Sequence, residues 1–268
     1  MTANQRYAAY QALNVSVADR VATLSLNSGQ RFNAVTAQMH VELAHIFQDL
    51  ANDDDVNVIV LTGAGNAFCA GADLNWVKQQ LDSPPTIWDA RREGRGIVLG
   101  ILDCPKPVIA RVNGDAMGLG ASLALLCDII VAADHVRIAD PHVRIGLVAG
   151  DGGALIWPAL VGYARAKEFL LTGNMVTAPQ AASMGLINYA VPVEQLDEKV
   201  QGFARQLADG ASQAIRLTKL ATNTLLRQAV DSVLEASLAN ECHTFHTADH
   251  AEGVSAFLER RPARFTGK

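Results

Sequence analysis

Two glycine-rich segments of this sequence have the composition and spacing to bind a negatively charged oxygen through backbone amides. The first covers residues 63–73 (GAGNAFCAGAD) and the second covers residues 113–122 (NGDAMGLGAS). Each follows an apolar run typical of a buried strand and precedes a segment typical of a helix. The first N–H groups of a helix lack intrahelical acceptors, and small residues let a ligand approach them closely. Two such turns that face each other would supply two N–H donors to one developing oxyanion.

Neither segment matches a nucleotide-binding motif. The sequence has no GxxxxGK[ST] pattern, and Gly118-Leu119-Gly120 does not continue to a third glycine because position 123 is leucine. A dinucleotide site is therefore disfavoured. No group of His, Cys, Asp and Glu residues has the sequence spacing of a metal site, so we expect no metal and no separate cofactor.

Composition and charge exclude several classes of partner. Half of the 268 residues are hydrophobic, 18% are charged, and the net charge is −5. No basic run and no alternation of basic and aromatic residues indicates nucleic-acid binding. The N-terminal sequence MTANQRYAAYQ lacks the features of a secretory signal, and no apolar run is long enough to span a bilayer. We therefore predict a soluble cytoplasmic protein with no nucleic-acid or membrane partner.

Strands and helices alternate through the first two-thirds of the chain. Alternating polar and apolar residues on both sides of Asp19-Arg20 predict a hairpin, and Thr36 is in position to cap a long amphipathic helix. After position 158 the patterns are mostly helical. An α/β layered core followed by a helical region is therefore predicted. The hairpin strands are 13–17 and 21–26, the buried strands are 56–62, 108–112 and 129–133, and the helices are 118–126, 164–171, 193–208, 211–229, 233–246 and 251–260.

Five segments, in order along the chain, resemble signatures of the crotonase (enoyl-CoA hydratase/isomerase) family. The similarity runs from about residue 12 to the C terminus. It implies a spiral of ββα turns over residues 12–200 and a C-terminal helical region, residues 201–268, that builds homotrimers, often paired into hexamers. The five segments are NAVTAQMHVELAHIF (33–47), AFCAGADL (67–74), KPVIARVNGDAMGLGASLALLCDIIVAA (106–133), AKEFLLTG (166–173) and EGVSAFLERRPARFTG (252–267).

The same resemblance implies an acyl-CoA thioester as the ligand, with coenzyme A as part of the substrate. It places the two oxyanion N–H donors at Ala72 and Leu119. The family usually has glycine at the position of Leu119, and leucine keeps the amide if its side chain points away from the thioester. For Trp76, helix packing is the alternative to a role in narrowing the pocket. The implied substrate-binding residues are Ala70, Gly71, Gly118, Ser122 and Trp76.

The chain departs from the hydratase pattern of the family at two positions. Hydratases use two glutamates, one to activate water and one to protonate the α-carbon, and the matching positions here are Ser122 and His142. Hydration needs both proton transfers, so ordinary two-glutamate hydration is disfavoured. Ser122 has no adjacent base and lies outside a GxSxG motif, which favours a place in the pocket wall over a role as nucleophile.

Two ionisable residues remain as candidate acid/base groups. Asp151 belongs to a loop that borders the acyl pocket in the family, and a carboxyl group in an apolar pocket has a raised pKa and can carry a proton. The alternative for Asp151 is a cap for the helix that starts at Gly152. His142 is either a general acid or base near neutral pH or a polar residue of the pocket wall.

These residues predict an enzyme that stabilises a thioester enolate and shifts the double bond of an enoyl-CoA. Asp151, together with His142, would move the proton between carbons. Two alternatives stay open. The first is decarboxylation or thioester hydrolysis of an acyl-CoA, and the second is a homologue that binds acyl-CoA without catalysis.

Overall fold

The computed structural model describes residues 6–268 of the chain. Residues 1–5, which belong to the segment without features of a secretory signal, lie outside the described residues. Within residues 6–268, no helix combines the length and the apolar character that a membrane crossing requires.

A six-stranded sheet forms the centre of the fold. Its first two strands make the predicted antiparallel hairpin, and both turn residues, Asp19 (φ 49°) and Arg20 (φ 63°), adopt the left-handed conformation of a two-residue turn. The other four strands are all parallel to their neighbours, which agrees with their apolar composition. In spatial order the strands are β1 (Leu13–Ala18), β2 (Val21–Leu26), β3 (Val58–Gly63), β4 (Val108–Val112), β6 (Ile129–Ala133) and β9 (Tyr189–Val191).

A second, three-stranded sheet lies beside the second glycine-rich segment. It contains β5 (Ala116–Met117), β7 (Arg137–Ala139) and β8 (Val176–Thr177). None of the three was predicted, nor was β9, because two or three residues are too few to show a period-two pattern.

Three of the four helices in the first half of the chain begin at polar caps, and the fourth has Gly118 as its N-cap. Thr36 accepts a hydrogen bond from the Met39 N–H, so its predicted capping role is confirmed. Asp73 caps the helix that follows the first glycine-rich segment in the same way. The helices are α1 (Ala37–Ala51), α2 (Leu74–Asp82), α3 (Ile87–Asp103) and the fully buried α4 (Leu119–Leu125).

The C-terminal part is helical as predicted, with different boundaries. The predicted helix 164–171 in fact begins at Gly153, and Gly162 (φ 75°) breaks its regular geometry. The segment 211–229 forms two helices, and a π-helical turn, Val230–Leu234, precedes the next one. The helices are α5 (Gly153–Thr172), α6 (Ala178–Ser183), α7 (Val193–Ala208), α8 (Ser212–Thr222), α9 (Thr224–Ala229), α10 (Glu235–Thr244) and α11 (Ala248–Leu258).

The expected division between residues 200 and 201 falls inside α7. This helix packs against β3, β4 and β6. The division into a core and a C-terminal helical region stays a prediction. An ion pair between a buried lysine and a partly accessible aspartate joins the next helix to the sheet layer. Lys219 of α8 pairs with Asp128 (2.8 Å) and donates a hydrogen bond to the Lys106 carbonyl (3.0 Å).

Candidate active site

Two asparagine side chains hold the first glycine-rich segment in shape. The Asn113 side-chain amide donates to the carbonyls of Gly63 (3.0 Å) and Gly65 (2.8 Å), and its oxygen accepts from the Gly63 N–H (3.2 Å). From the other side, the Asn33 amide donates to the carbonyls of Ala64 (3.0 Å) and Phe68 (3.3 Å). Both asparagines are buried. Their side chains thus replace the regular backbone partners that an irregular turn lacks.

The second glycine-rich segment lies directly against the first. The Cys69 N–H donates to the Asp115 carbonyl (3.2 Å), and the Met117 N–H donates to the Cys69 carbonyl (3.0 Å). Gly71 touches Met117 so closely that a Cβ on it would lie 3.0 Å from the Met117 carbonyl oxygen. Ala72 and Leu119 each follow a residue of this contact region, so the two predicted donors are neighbours in space.

Both predicted oxyanion donors have free N–H groups. Among residues 6–268, neither the Ala72 N–H nor the Leu119 N–H donates to a protein acceptor. Leu119 is the first residue of α4, where an N–H has no intrahelical partner, and its side chain is 6% exposed within the core. The Leu119 side chain therefore packs into the core, which is the condition for using its amide as an oxyanion donor. Ala70 and Ala72 are exposed, which leaves the first turn open to a ligand.

A histidine between two carboxylates lies beside these turns. His142 Nδ1 forms a short hydrogen bond with Asp140 Oδ1, and its Nε2 lies 3.5 Å from Asp151 Oδ2. Ser122 Oγ donates to the other oxygen of Asp151 (3.1 Å). The side chains of Asp140, His142, Asp151 and Ser122 form a row through these contacts. This row reaches the second glycine-rich segment, because a Cβ on Gly118 would lie 3.4 Å from the His142 ring. The structure thus brings together the predicted residues His142, Asp151, Ser122 and Gly118.

The alternative roles of two predicted residues can now be compared with their contacts. Asp151 does not cap the following helix, because the N-cap of α5 is Gly152, no side chain caps the helix, and the Asp151 carboxylate faces Ser122 and His142 instead. Trp76 packs on α2 against the ring of His40, with centroids 5.3 Å apart. Trp76 therefore takes part in packing between α1 and α2.

Burial and charge set the protonation of the row. Burial opposes a charge on His142, but Asp140 and Asp151 outweigh it and raise the pKa of His142 well above its ordinary value. Burial raises the pKa of Asp151, and the charge on His142 opposes that rise. At neutral pH His142 is therefore an imidazolium between the carboxyl groups of Asp140 and Asp151.

Asp140, the partner of His142, was not identified from the sequence. Its side chain is buried, and its Oδ2 atom has no hydrogen-bond partner among the described residues. This oxygen lies against Gly153, the first residue of α5, where a Cβ would clash with it. The helix N-terminus favours a negative charge there, which supports Asp140 as the carboxylate that orients the imidazole.

Two more ionisable groups near the site were also missed. Glu241 of α10 lies against Gly150, and its charge and that of Asp151 influence each other. His40 of α1 hydrogen-bonds to Glu93 of α3 (2.8 Å), and this bond lowers the pKa of Glu93 to about 2. No local pattern identifies these residues, because each belongs to an ordinary amphipathic helix and reaches the site only through tertiary packing.

Asp140, His142 and Asp151 also offer ligand atoms within 4.8 Å of one another, which meets the distance requirement of a metal site. The sequence spacing did not reveal this group. The imidazole lies between the carboxylates, with Nδ1 towards Asp140 and Nε2 towards Asp151. This is the arrangement of a hydrogen-bonded row and not of three ligands that converge on one ion. The expected absence of a metal stays a prediction.

The fold, with its paired glycine-rich turns at the edge of a parallel sheet, defines an acyl-CoA-processing enzyme. The family model described as Enoyl-CoA hydratase/isomerase matches residues 17–268. The chain therefore belongs to the enoyl-CoA hydratase/isomerase, or crotonase, family, and the expected family and fold class are confirmed.

Proteins named for different reactions are similar to this chain over more than nine-tenths of its length. The 1,2-epoxyphenylacetyl-CoA isomerase of Escherichia coli (strain K12) is 37% identical and covers 92% of this chain and 95% of its own length. An enoyl-CoA hydratase/isomerase from Mycobacterium paratuberculosis has a TM-score of 0.86 and 36% identity, covering 91% of this chain and 97% of its own. A β-diketone hydrolase from Anabaena sp. PCC 7120, bound to (S)-3-oxocyclohexyl acetic acid, has a TM-score of 0.81 and 29% identity, covering 92% and 98%.

Proposed function

We propose that this enzyme shifts the double bond of an enoyl-CoA. The Ala72 and Leu119 amides bind the thioester oxygen, and Asp151 takes a proton from the α-carbon. The observation that carries the proposal is the pair of free N–H groups beside a buried carboxylate that can accept a proton. Donors of this kind contribute roughly 3–4 kcal/mol each to an oxyanion-like transition state.

The protonated imidazole supports proton transfer in place of hydration. With serine at position 122 and histidine at position 142, no glutamate is available at the two hydratase positions. The charge of His142 favours the ionised form of Asp151 and so opposes the rise that burial causes in the pKa of Asp151. The similarity to a relative named as an acyl-CoA isomerase is in line with this chemistry.

Conversion of a 3-enoyl-CoA into the conjugated 2-enoyl-CoA tests the proposal. We expect turnover by the wild type, and α-proton exchange in deuterated buffer observed by NMR. Asp151→Asn keeps the size and the contact with Ser122 but cannot accept the proton, so its kcat should fall about 10²–10⁴-fold. Full activity of Asp151→Asn, or a wild type that neither isomerises the substrate nor exchanges its α-proton, would overturn the proposal.

Hydrolysis is a second candidate, for which the row Asp140–His142–Asp151 is the specific observation. A histidine oriented by one carboxylate can activate water once it has lost its proton. The solved structure of a β-diketone hydrolase among the neighbours supports this candidate. Assays with β-diketones and acyl-CoA thioesters, followed by product analysis, distinguish carbon–carbon or thioester cleavage from isomerisation.

Assembly into trimers or hexamers with the C-terminal helices at the interface also remains a proposal. It is supported by the family to which the chain belongs. Sedimentation of the full chain would test it, since a monomer at micromolar concentration would contradict it.

A further inference from the structure

One face of α10 covers the loop that carries Asp151. Ser237 Oγ donates to the Gly150 carbonyl (3.1 Å), and the Val148 N–H donates to Thr244 Oγ1 (3.3 Å). Glu241 lies between these two residues on the same helical face, four positions after the serine and three before the threonine. Its carboxyl group is therefore fixed over the loop beside Asp151.

The contact between Glu241 and this loop is close along the whole side chain. A Cβ on Gly150 would lie 2.6 Å from Glu241 Cβ and would overlap Glu241 Oε2. Glu241 keeps part of its surface accessible, and its carboxyl group makes no hydrogen bond to any of the described residues 6–268. A carboxyl group without a protein partner at the edge of a reaction site is free to bind substrate.

The charge balance of the site favours an additional proton. Asp140, Asp151 and Glu241 are three carboxyl groups close to His142, and the charge of His40 also acts on Asp151. α10 also packs against α3 and the π-helical turn, and the arginines of α3 near it, Arg91 and Arg95, pair with Glu235 and Asp231. In this desolvated place with more acids than cations, a carboxyl group keeps its proton more readily. Burial, followed by the charge of Asp151, raises the pKa of Glu241 to about 8, which identifies it as that acid.

We propose that Glu241 is a second proton-transfer group, which donates a proton to the acyl chain at a carbon beyond the one that Asp151 deprotonates. This inference rests on the proposed isomerisation. Asp151 lies next to His142, which lies against Gly118 of the oxyanion turn, whereas Glu241 lies against Gly150 in the Asp151 loop. Followed contact by contact from the oxyanion turn, the order is therefore His142, Asp151 and Glu241.

The proposed step balances. The Asp151 carboxylate takes the proton from C2, and the electron pair of that C–H bond forms the C2=C3 bond through the enolate. The pair of the former C3=C4 bond takes the proton of the Glu241 carboxyl group and becomes the new C4–H bond. Asp151 is left protonated and Glu241 ionised, and exchange with solvent water, in which Asp151 releases its proton and Glu241 takes one up, restores both groups.

Isotope transfer tests this division of labour. The substrate is a 3-enoyl-CoA with deuterium at C2, in ordinary water. We expect wild-type product with protium at C4, because the donor differs from the acceptor. Glu241→Gln should lower kcat at least tenfold, and its remaining turnover should carry deuterium from C2 to C4, because Asp151 then serves both carbons. Glu198→Gln, the same change on the exposed face of α7, is the matched control and should behave as the wild type.

Infrared difference spectra between pH 6.5 and pH 9.5 give a readout that does not require activity. A carboxylic-acid C=O band that the wild type loses on going to pH 9.5, and that Glu241→Gln lacks at both pH values, supports the assignment. Wild-type kcat in Glu241→Gln, or a wild type that already carries most deuterium to C4, overturns it and leaves the proposed function intact. A wild type that neither isomerises the substrate nor exchanges its α-proton removes both proposals.

Discussion

Asn33 and Asn113 donate hydrogen bonds to the same carbonyl oxygen, that of Ala67, over distances of 2.9 and 3.2 Å. One asparagine precedes α1 and the other follows β4, so the first glycine-rich turn is held between two distant parts of the chain. The shared acceptor, Ala67, thus fixes the turn four positions before Gly71 and five positions before Ala72. The position of the Ala72 amide therefore depends on side chains that lie outside the pocket.

Asn113→Ala should weaken both stability and activity. It removes the donor to three carbonyls, one buried and two partly buried, so we expect the free energy of unfolding to fall by about 1–3 kcal/mol. The turn would also lose its fixed shape, and kcat/KM should fall at least tenfold. The matched control is Asn223→Ala, which removes a single hydrogen bond to the Leu102 carbonyl away from the site. Urea unfolding and steady-state kinetics measure both effects, and an unchanged kcat/KM in Asn113→Ala would contradict the expected role.

Asp140→Asn should lower the pKa of His142. The Coulombic attraction of Asp140 and its hydrogen bond both favour the imidazolium, and the amide of asparagine supplies no charge. NMR titration of the His142 ring measures the change. Asp197→Asn, which alters an exposed pair with Arg111, is the control and should leave the titration unchanged. A His142 ring that titrates alike in the wild type and Asp140→Asn would show that this carboxylate does not set its protonation.

Gly150→Ala and Gly202→Ala should have opposite effects. The added methyl group at position 150 overlaps Glu241, so we expect a loss of about 1–3 kcal/mol in the free energy of unfolding. A Cβ on Gly202 has no neighbour within 4 Å, and alanine is a better helix former, so stability should rise by about 1 kcal/mol there. Denaturant titrations compare the two variants. Equal stability of Gly150→Ala and the wild type would mean that α10 is not seated on the loop as described.

Glu241→Gln should make the protein more stable at alkaline pH. The pKa of Glu241 is raised from 4.5 to about 8, so between these values the folded chain binds a proton that the unfolded chain has released. The free energy of unfolding therefore falls as pH rises from about 4.5 to about 8. Glutamine has no such titration, and the variant should gain about 1–3 kcal/mol over the wild type between pH 5 and pH 8.5, after allowance for partial exposure. Parallel pH profiles of the two melting temperatures would exclude this linkage.

Local sequence patterns predicted the parts of the fold that depend on neighbouring residues. The apolar runs of β3, β4 and β6 and the cap Thr36 were visible because their signals lie within a few positions. The oxyanion turns were found in the same way, through glycines between strand and helix. Two-residue strands such as β5 carry too few side chains to show a period.

The groups that act through space gave no such signal. Asp140 and His142 are two positions apart, but Glu241 is some hundred positions from them and comes near only because α10 packs on the loop. Asn33 and Asn113 likewise meet at Ala67 only in the folded chain. A single sequence shows which residues could do chemistry, whereas packing decides which of them meet.

The π-helical turn Val230–Leu234 fixes which side chain of α10 meets the pocket. Such a turn holds an additional residue, and each residue turns a helix by about 100°. Removal of one position there would rotate Ser237, Glu241 and Thr244 together and bring a different stripe of the helix over the Asp151 loop. A three-base deletion in this turn would thus replace Glu241 over the loop by another side chain without altering any residue of the pocket.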